Sequence, residues 1–191
     1  ERATYDKFGV PKTLWVEADP RKADALRESL PPDQHRVLWC AATNKDGPVT
    51  LRVASNDGMS SSLLPLKIHL AFYPHIVESE QIEVPGRRLG PYLDELGIKI
   101  GAPEGLNLLN LDIQGAELLA LEGLGDKVGL FDTIYTEVNT AELYEGAVLL
   151  PQLDAFLKQF NFVRFETTMW GEDAPGSPHH HQWGDAIYIR M

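Results

Sequence analysis

Cysteine is nearly absent from this chain: Cys40 stands alone among 191 residues, so no internal disulfide is possible and the fold must rest on its apolar core. Basic residues are scarce as well. Seventeen lysines and arginines against 28 aspartates and glutamates give a net charge of -11, which repels phosphate backbones and anionic lipid heads. Nucleic acid and membrane surfaces are therefore not expected as partners. No window approaches the ~18 uninterrupted apolar residues that cross a bilayer, and the opening ERATYDKFG lacks the apolar h-region of a signal peptide. The expectation is a soluble, cytoplasmic protein in which Cys40, within VLWCAA, is a buried and inert thiol.

Familiar catalytic signatures are missing too. The chain has no GxGxxG, no GxxxxGKS/T, no GxSxG and no HExxH, so dehydrogenase, P-loop, serine hydrolase and zincin readings lose support. His179, His180 and His181 are adjacent, but consecutive loop residues rarely face one ion and no paired cysteine or spaced histidine supports them. No metal site is expected.

What is present is a repeated grammar of strand, acidic tip and helix. The 191 residues, 43% hydrophobic, suit one domain with one sizeable core. The opening residues look like the back half of a helix closed by Gly9. TLWVEA then reads as a strand, and Asp19 with Pro20 caps the helix that follows. HRVLWCAAT is the next buried strand, and GPVTLRVAS alternates like a half-exposed antiparallel insertion. NDGMSSSLL is a turn-forming tract rich in hydroxyls, either a binding loop or an ordinary surface loop. Residues 65–80 have no clean period and read as irregular connection or lid. QIEVPG is a short strand and RRLGPYLDELGI a short helix. In LNLLNLDIQGAELLALEGL, Leu106–Leu124, an apolar strand ends on Asp112, passes Gly115 and becomes a helix at Ala116 and Glu117. FDTIYTEVN repeats that logic and ends near Glu137. The stripe Leu150, Leu153, Phe156, Leu157 and Phe160 is a helical core face, and NFVRFETTMW and DAIYIR are two last strands. The order predicts a mostly parallel, doubly wound α/β sheet with an antiparallel C-terminal hairpin.

Ligands of open α/β sheets bind outside the carboxyl ends of the strands. Three acids fall at such ends: Glu17, Asp112 and Glu137. Glu17 suits the two ribose hydroxyls of a nucleoside cofactor. Asp112 and Glu137 meet if their strands are neighbours, where they can bind an ammonium group, orient a hydroxyl or act as a base. Each has a bland alternative: a surface acid for Glu17, a helix cap for Asp112, a salt bridge for Glu137. Glu117 favours the helix dipole whether or not it has another role. Asp185 joins the same edge only if its loop folds back.

WVEADP, the serine loop, LNLDIQGAELLALEG, IYTEVNTAELYEG and WGDAIYIR, in this order, resemble the FkbM-type methyltransferase family. The likeness covers nearly the whole chain. It implies a Rossmann-like class I methyltransferase fold and S-adenosylmethionine as methyl donor, with transfer to an oxygen of a sugar or small metabolite. By position it implies a cofactor held by Glu17, Ala18, Ala42 and Asp112, with Asp112 and Glu137 as catalytic residues. Ser60, Ser61, Gln114, Glu117 and Asn139 are implied to orient a small-molecule or glycan acceptor. Family members open with a strand and a glycine-rich turn, roughly DxGAxxG, that this chain does not contain. An N-terminally truncated methyltransferase domain is therefore expected, with an open sheet edge able to form a homodimer. A non-catalytic domain that keeps the family's shape and binds a metabolite or protein is the alternative.

Overall fold

In the computed structural model, which describes residues 2–101, 105–170 and 182–191, the chain opens on a short helix, α1 (Arg2–Lys7). Gly9, at φ +65°, ends it in the left-handed conformation that glycine adopts without strain. Strand β1 (Thr13–Glu17) follows. Asp19 then caps helix α2 (Pro20–Ser29), its side chain accepting from the Arg21 N–H while Pro20 takes the first helical position. Strand β2 (His35–Trp39) returns parallel to β1.

The expected strand His35 to Thr43 is two strands. β3 (Ala41–Ala42) leaves β2 at Cys40 and pairs parallel with a different partner, β5 (Glu78–Arg87). The insertion strand β4 (Gly47–Ala54) pairs antiparallel with β5, as its alternation predicts. β5 runs further than the QIEVPG segment because its outer half is held by β4 rather than by the core. Within residues 65–80 lies one helical turn, α3 (His69–Phe72). Helix α4 (Leu89–Glu95) precedes β6 (Leu108–Leu111), which is shorter than the apolar run that announces it.

Helix α5 (Glu117–Leu124) and a 3-10 turn (Gly125–Leu130) lead into β7 (Thr133–Asn139). Helix α6 (Leu150–Lys158) and the hairpin strands β8 (Phe162–Trp170) and β9 (Trp183–Arg190) complete the chain.

The sheet differs from the expected doubly wound parallel one. Among the described residues the strands form three hydrogen-bonded sheets: β1-β2, β3-β5-β4 and β6-β7-β9-β8. Only the first is wholly parallel; β4-β5, β7-β9 and β8-β9 are antiparallel. The antiparallel C-terminal hairpin is as expected. The architecture is thus α/β with mixed sheets. The antiparallel pairs are the expected insertion and hairpin; what differs is that the break at Cys40 sends β3 to another ladder, so the strands do not all enter one sheet.

One main core joins these pieces. Leu38, Cys40, Leu111, Leu121, Ile134, Leu153, Leu157 and Tyr188 are all buried in it. The stripe of α6 behaves as read, with Leu153 and Leu157 buried and Phe156 and Phe160 packed against the cluster. Its face of β7 carries Ile134 and Val138. The period of two therefore sends Tyr135, Glu137 and Asn139 to the opposite face. Close backbone approach fixes α5 in place: a Cβ on Gly123 would lie 2.1 Å from the Thr43 carbonyl oxygen. No helix of the described residues is long and apolar enough to cross a membrane.

Candidate active site

β6 and β7 are parallel neighbours with Leu111 paired to Thr136, so the residues that leave them, Asp112 and Glu137, emerge at one end of the sheet. What joins them is the turn between β6 and α5. Gln114 sits at φ +57° and Gly115 at φ +92°, two successive left-handed residues. Gly115 has the residue type for this conformation, and a Cβ there would lie 3.0 Å from the Ala147 methyl. Gln114 does not. A non-glycine residue there costs on the order of 1 kcal/mol, and such strain persists only where the surroundings impose it.

The surroundings are explicit. Glu117 Oε1 accepts from the backbone N–H of Ile113 at 3.2 Å and of Gly115 at 3.1 Å. Ser62 Oγ donates to the Gln114 carbonyl at 2.7 Å. The turn is therefore pinned from the helix below and from the serine loop beside it.

Held this way, the Gln114 side chain becomes a bridge. Its Nε2 donates to Asp112 Oδ1 at 2.7 Å and to Glu137 Oε2 at 2.8 Å. Its Oε1 accepts from the Tyr144 hydroxyl at 2.7 Å. Asn139 Nδ2 lies 3.4 Å from Glu137 Oε1. Asp112, Gln114, Glu117, Glu137 and Asn139, five residues singled out from sequence, thus meet in one network.

The bland alternatives for two acids do not hold. The residue at the head of α5 is Ala116, with no side-chain cap, so Asp112 does not cap it. Glu137 has no salt bridge among the described residues; its neighbours are carboxylates. Asp185 faces it across the β7–β9 ladder and accepts from the Trp170 indole N–H at 2.7 Å. The strand register itself, rather than a folded-back loop, brings Asp185 to this edge.

Burial sets the electrostatics. Glu117 is 0% exposed and Glu137 6%. Desolvation raises the Glu117 carboxyl to about 7, with the Asp112 charge adding to it. Desolvation raises Glu137 well above the usual carboxylate range, and the charges of Glu117, Asp112 and Asp185 push the same way. Two buried polar atoms here have no hydrogen-bond partner among the described residues, Glu117 Oε2 and Asn139 Oδ1. Buried groups are rarely left so. Burial thus raises the proton affinity of both carboxyls, and the cluster offers oxygen atoms to something further.

The serine loop contributes differently from its reading. Ser60 Oγ accepts from Asn56 Nδ2 and Ser61 Oγ from the Ala54 N–H, so both hydroxyls brace the loop itself. Ser62 and the Ser60 carbonyl, which lies 3.3 Å from the Tyr144 hydroxyl, are what touch the network. Ser62 and Tyr144 were not among the expected site residues. Ser62 stood in the same serine run, and Tyr144 lies within IYTEVNTAELYEG, whose family likeness marks the segment but not which of its side chains enters the site.

The expected cofactor residues lie on other elements. Glu17 ends β1, and its Oε1 accepts from the Asp19 N–H at 2.7 Å; burial raises its carboxyl, against that hydrogen bond and the nearby Lys22 charge. Ala18 packs on a smaller apolar cluster, its carbonyl accepting from the Trp39 indole at 3.0 Å. Ala42 packs on the main core. β1 and β6 share no ladder. Between them Tyr5 of α1 accepts from Asn110 Nδ2 at 2.7 Å and places its ring 5.9 Å from that of Trp15. Glu17, Ala18 and Ala42 are thus not part of the Asp112–Glu137 network. His179, His180 and His181 lie outside the described residues, and no cluster suited to a metal ion occurs among those described.

Comparison with known proteins decides the family. Residues 2–164 match the model of the methyltransferase FkbM domain. The chain belongs to the FkbM methyltransferase family. A curated relative, the 2-O-methyltransferase NoeI of Sinorhizobium fredii, is 31% identical over 154 residues, covering 77% of this chain and 61% of the relative. The chain therefore spans less than two thirds of that relative's length. No solved structure matches this FkbM chain. Every residue of the Gln114 network falls inside the family match; Asp185 lies beyond it.

Proposed function

We propose that this protein is an S-adenosylmethionine-dependent O-methyltransferase acting on a hydroxyl of a sugar or small metabolite. The observation that carries this reading is Glu137: a buried carboxylate at a strand tip, bridged by Gln114 to Asp112, with no cation against it among the described residues. A methyl acceptor oxygen must lose its proton as the new bond forms. A carboxylate whose burial raises its proton affinity above that of an ordinary carboxylate is a stronger base for that proton.

Family membership and the NoeI likeness support methyl transfer, and the donor set fits the cofactor. The tips of β6 and β7 present carboxylates and an amide oxygen, Asn139 Oδ1, without a partner or an ion pair among the described residues, which suits a ligand carrying positive charge and hydroxyls. When bound, S-adenosylmethionine supplies an electrophilic methyl group. On this reading Glu17 holds ribose hydroxyls, with Ala18 and Ala42 alongside. Asp112 stands between cofactor and acceptor. Gln114, Glu117 and Asn139 orient the acceptor, and the loop with Ser60 and Ser61 closes beside it. Glu137 accepts the acceptor's proton; the low-dielectric surroundings that raise its affinity also keep water from competing.

Radiolabelled methyl transfer to sugars and small hydroxylated metabolites tests the proposal. Glu137→Gln keeps the shape and removes the base, so transfer should fall by roughly 100-fold or more while calorimetric cofactor affinity stays within a few-fold. Equal rates for the two proteins would overturn the role of Glu137. A folded protein that binds the cofactor and transfers to no hydroxyl acceptor would overturn O-methylation.

A further inference from the structure

We infer that Tyr144 is a positioning residue of this site: its hydroxyl fixes the Gln114 carboxamide so that the amide NH2 is held between Asp112 and Glu137. The inference rests on the methyltransferase reading only for its catalytic consequence; its geometric part stands alone.

A carboxamide has two ends of nearly equal shape and opposite polarity. In Gln114 both ends are used. Nε2 spends its two N–H groups on Asp112 and Glu137, and Oε1 takes the hydroxyl proton of Tyr144 at 2.7 Å. That hydroxyl also lies 3.3 Å from the Ser60 carbonyl, but it has a single proton, and the shorter contact is the better placed. Burial chiefly, and the Glu137 charge next, push the Tyr144 hydroxyl well above its ordinary value. It therefore remains a neutral donor throughout the working range.

Tyr144 is itself immobilised. It is 1% exposed, pairs in an isolated antiparallel bridge with Leu66, and sets its ring 5.7 Å from that of buried His69. Leu143, Tyr144 and Ala147 form an apolar cluster with Leu64, Leu66, Ile68, Phe72 and Trp183. The segment around α3 thus holds Tyr144, Tyr144 holds Gln114, and Gln114 holds the two carboxylates. The left-handed Gln114 backbone accompanies this arrangement, with its carbonyl gripped by Ser62.

The consequence falls on Glu137. The groups facing it are Asp112 and Glu117 from the β6–α5 segment, Asp185 from β9 and the Tyr144 hydroxyl. Three are acids that resist its ionisation; the Gln114 and Asn139 amide N–H groups are donors that favour it. Releasing the amide by removing the Tyr144 hydroxyl shifts that balance toward the protonated carboxyl.

The test is a carbon-13 NMR pH titration of the protein labelled at glutamate side-chain carboxyls, with the Glu137 signal assigned by its loss in Glu137→Gln. In Tyr144→Phe the Glu137 midpoint should move to higher pH, and in Gln114→Glu, which replaces the bridging amide by a further acid, it should move further the same way. The acid limb of the transfer rate should follow, with kcat lowered roughly fivefold to tenfold and the cofactor KM unchanged. A lone packing role for Tyr144 would lower the melting temperature and leave the Glu137 midpoint where it was; that result overturns the inference. Should Tyr144→Phe not fold, an unmoved midpoint in Gln114→Leu, which deletes the bridge while keeping bulk, overturns it equally. A wild-type protein that transfers no methyl group would sink the proposed function, yet the titration would still decide the role of Tyr144.

Discussion

Asp185 stands directly opposite Glu137 in the antiparallel β7–β9 register, so two carboxylates share one face of the sheet on adjacent backbones. Like charges so paired destabilise a ladder. The Trp170 indole N–H supports Asp185, whereas Glu137 is buried and has only amide donors. Burial therefore binds a proton more tightly on the Glu137 and Glu117 side, below the turn that carries Asp112.

That proton makes stability depend on pH in a definite direction. Glu117 has an ordinary value of 4.5 and is raised to about 7 in the fold, and Glu137 is raised as well. Between those values the folded state holds more protons than the unfolded chain, so stability falls as pH rises. Melting temperature should decline steadily from about pH 4.5 to about pH 7 on this account, and Glu117→Gln should flatten the decline. Its amide oxygen can still accept from Ile113 and Gly115. A variant whose melting curve against pH superimposes on that of the wild type would remove Glu117 from the explanation.

The acids of this site were readable because a strand tip is a positional statement: an apolar run that ends on Asp112 or Glu137 places that side chain at the sheet edge whatever the neighbouring ladder does. Their meeting needed only that β6 and β7 be neighbours. The sheet was harder. Nothing in HRVLWCAAT marks Cys40 as the point where the chain changes partners, since buried strands of either sheet are equally apolar. The serine loop shows a similar limit. Which of Ser60, Ser61 and Ser62 reaches Gln114 depends on the phase of a turn, and composition carries no phase. Tyr144 stood within the family-like segment IYTEVNTAELYEG, but nothing there singles it out, because its role depends on a residue 30 positions away, through a contact that leaves no periodic trace.

Ser62 offers a test of how firmly the turn is held. Its hydroxyl donates to the Gln114 carbonyl at 2.7 Å and accepts from the Leu64 N–H at 3.0 Å, and the residue is 2% exposed. Ser62→Ala leaves both backbone groups without their partner, which costs about 1–3 kcal/mol. Urea unfolding should show that loss with an unchanged denaturant slope, and methyl transfer should fall with it as Gln114 loosens. Ser60→Ala and Ser61→Ala should affect transfer less, because their hydroxyls bond within their own loop. If the three variants lose activity equally, Ser62 has no special connection to the site.

Gly123 tests the placement of α5, the helix that carries Glu117. A Cβ there meets the Thr43 carbonyl oxygen at 2.1 Å and its carbon at 2.9 Å, backbone atoms that no side-chain rotation can move aside. Gly123→Ala must therefore push α5 away from β3. The better helix propensity of alanine offers only about 1 kcal/mol in return, less than the 1–3 kcal/mol typical of overpacking. Thermal melting should show a net loss, and Gly125→Ala, where the added carbon meets nothing within 4 Å, should avoid the clash although its φ of +59° carries its own strain. A Gly123→Ala protein as stable as the wild type would mean that the two elements pack less closely than this.

Cys40 closes the argument about the core. Its thiol is 2% exposed at the break between β2 and β3, and burial pushes it up to about 11 against the opposing pull of Arg87. Only the thiolate reacts with alkylating reagents, so at pH 8 about one thiol in a thousand is competent even before access is considered. The ordinary thiol value of 9.0 leaves about one thiol in ten competent in the urea-unfolded chain at that pH, so alkylation of the folded protein should be slower by more than about 100-fold, since reaction also requires the strand break to open. Mass spectrometry of timed iodoacetamide reactions reads the ratio directly. Comparable rates in the two states would show that the β2–β3 junction opens readily and that the main core does not extend across it.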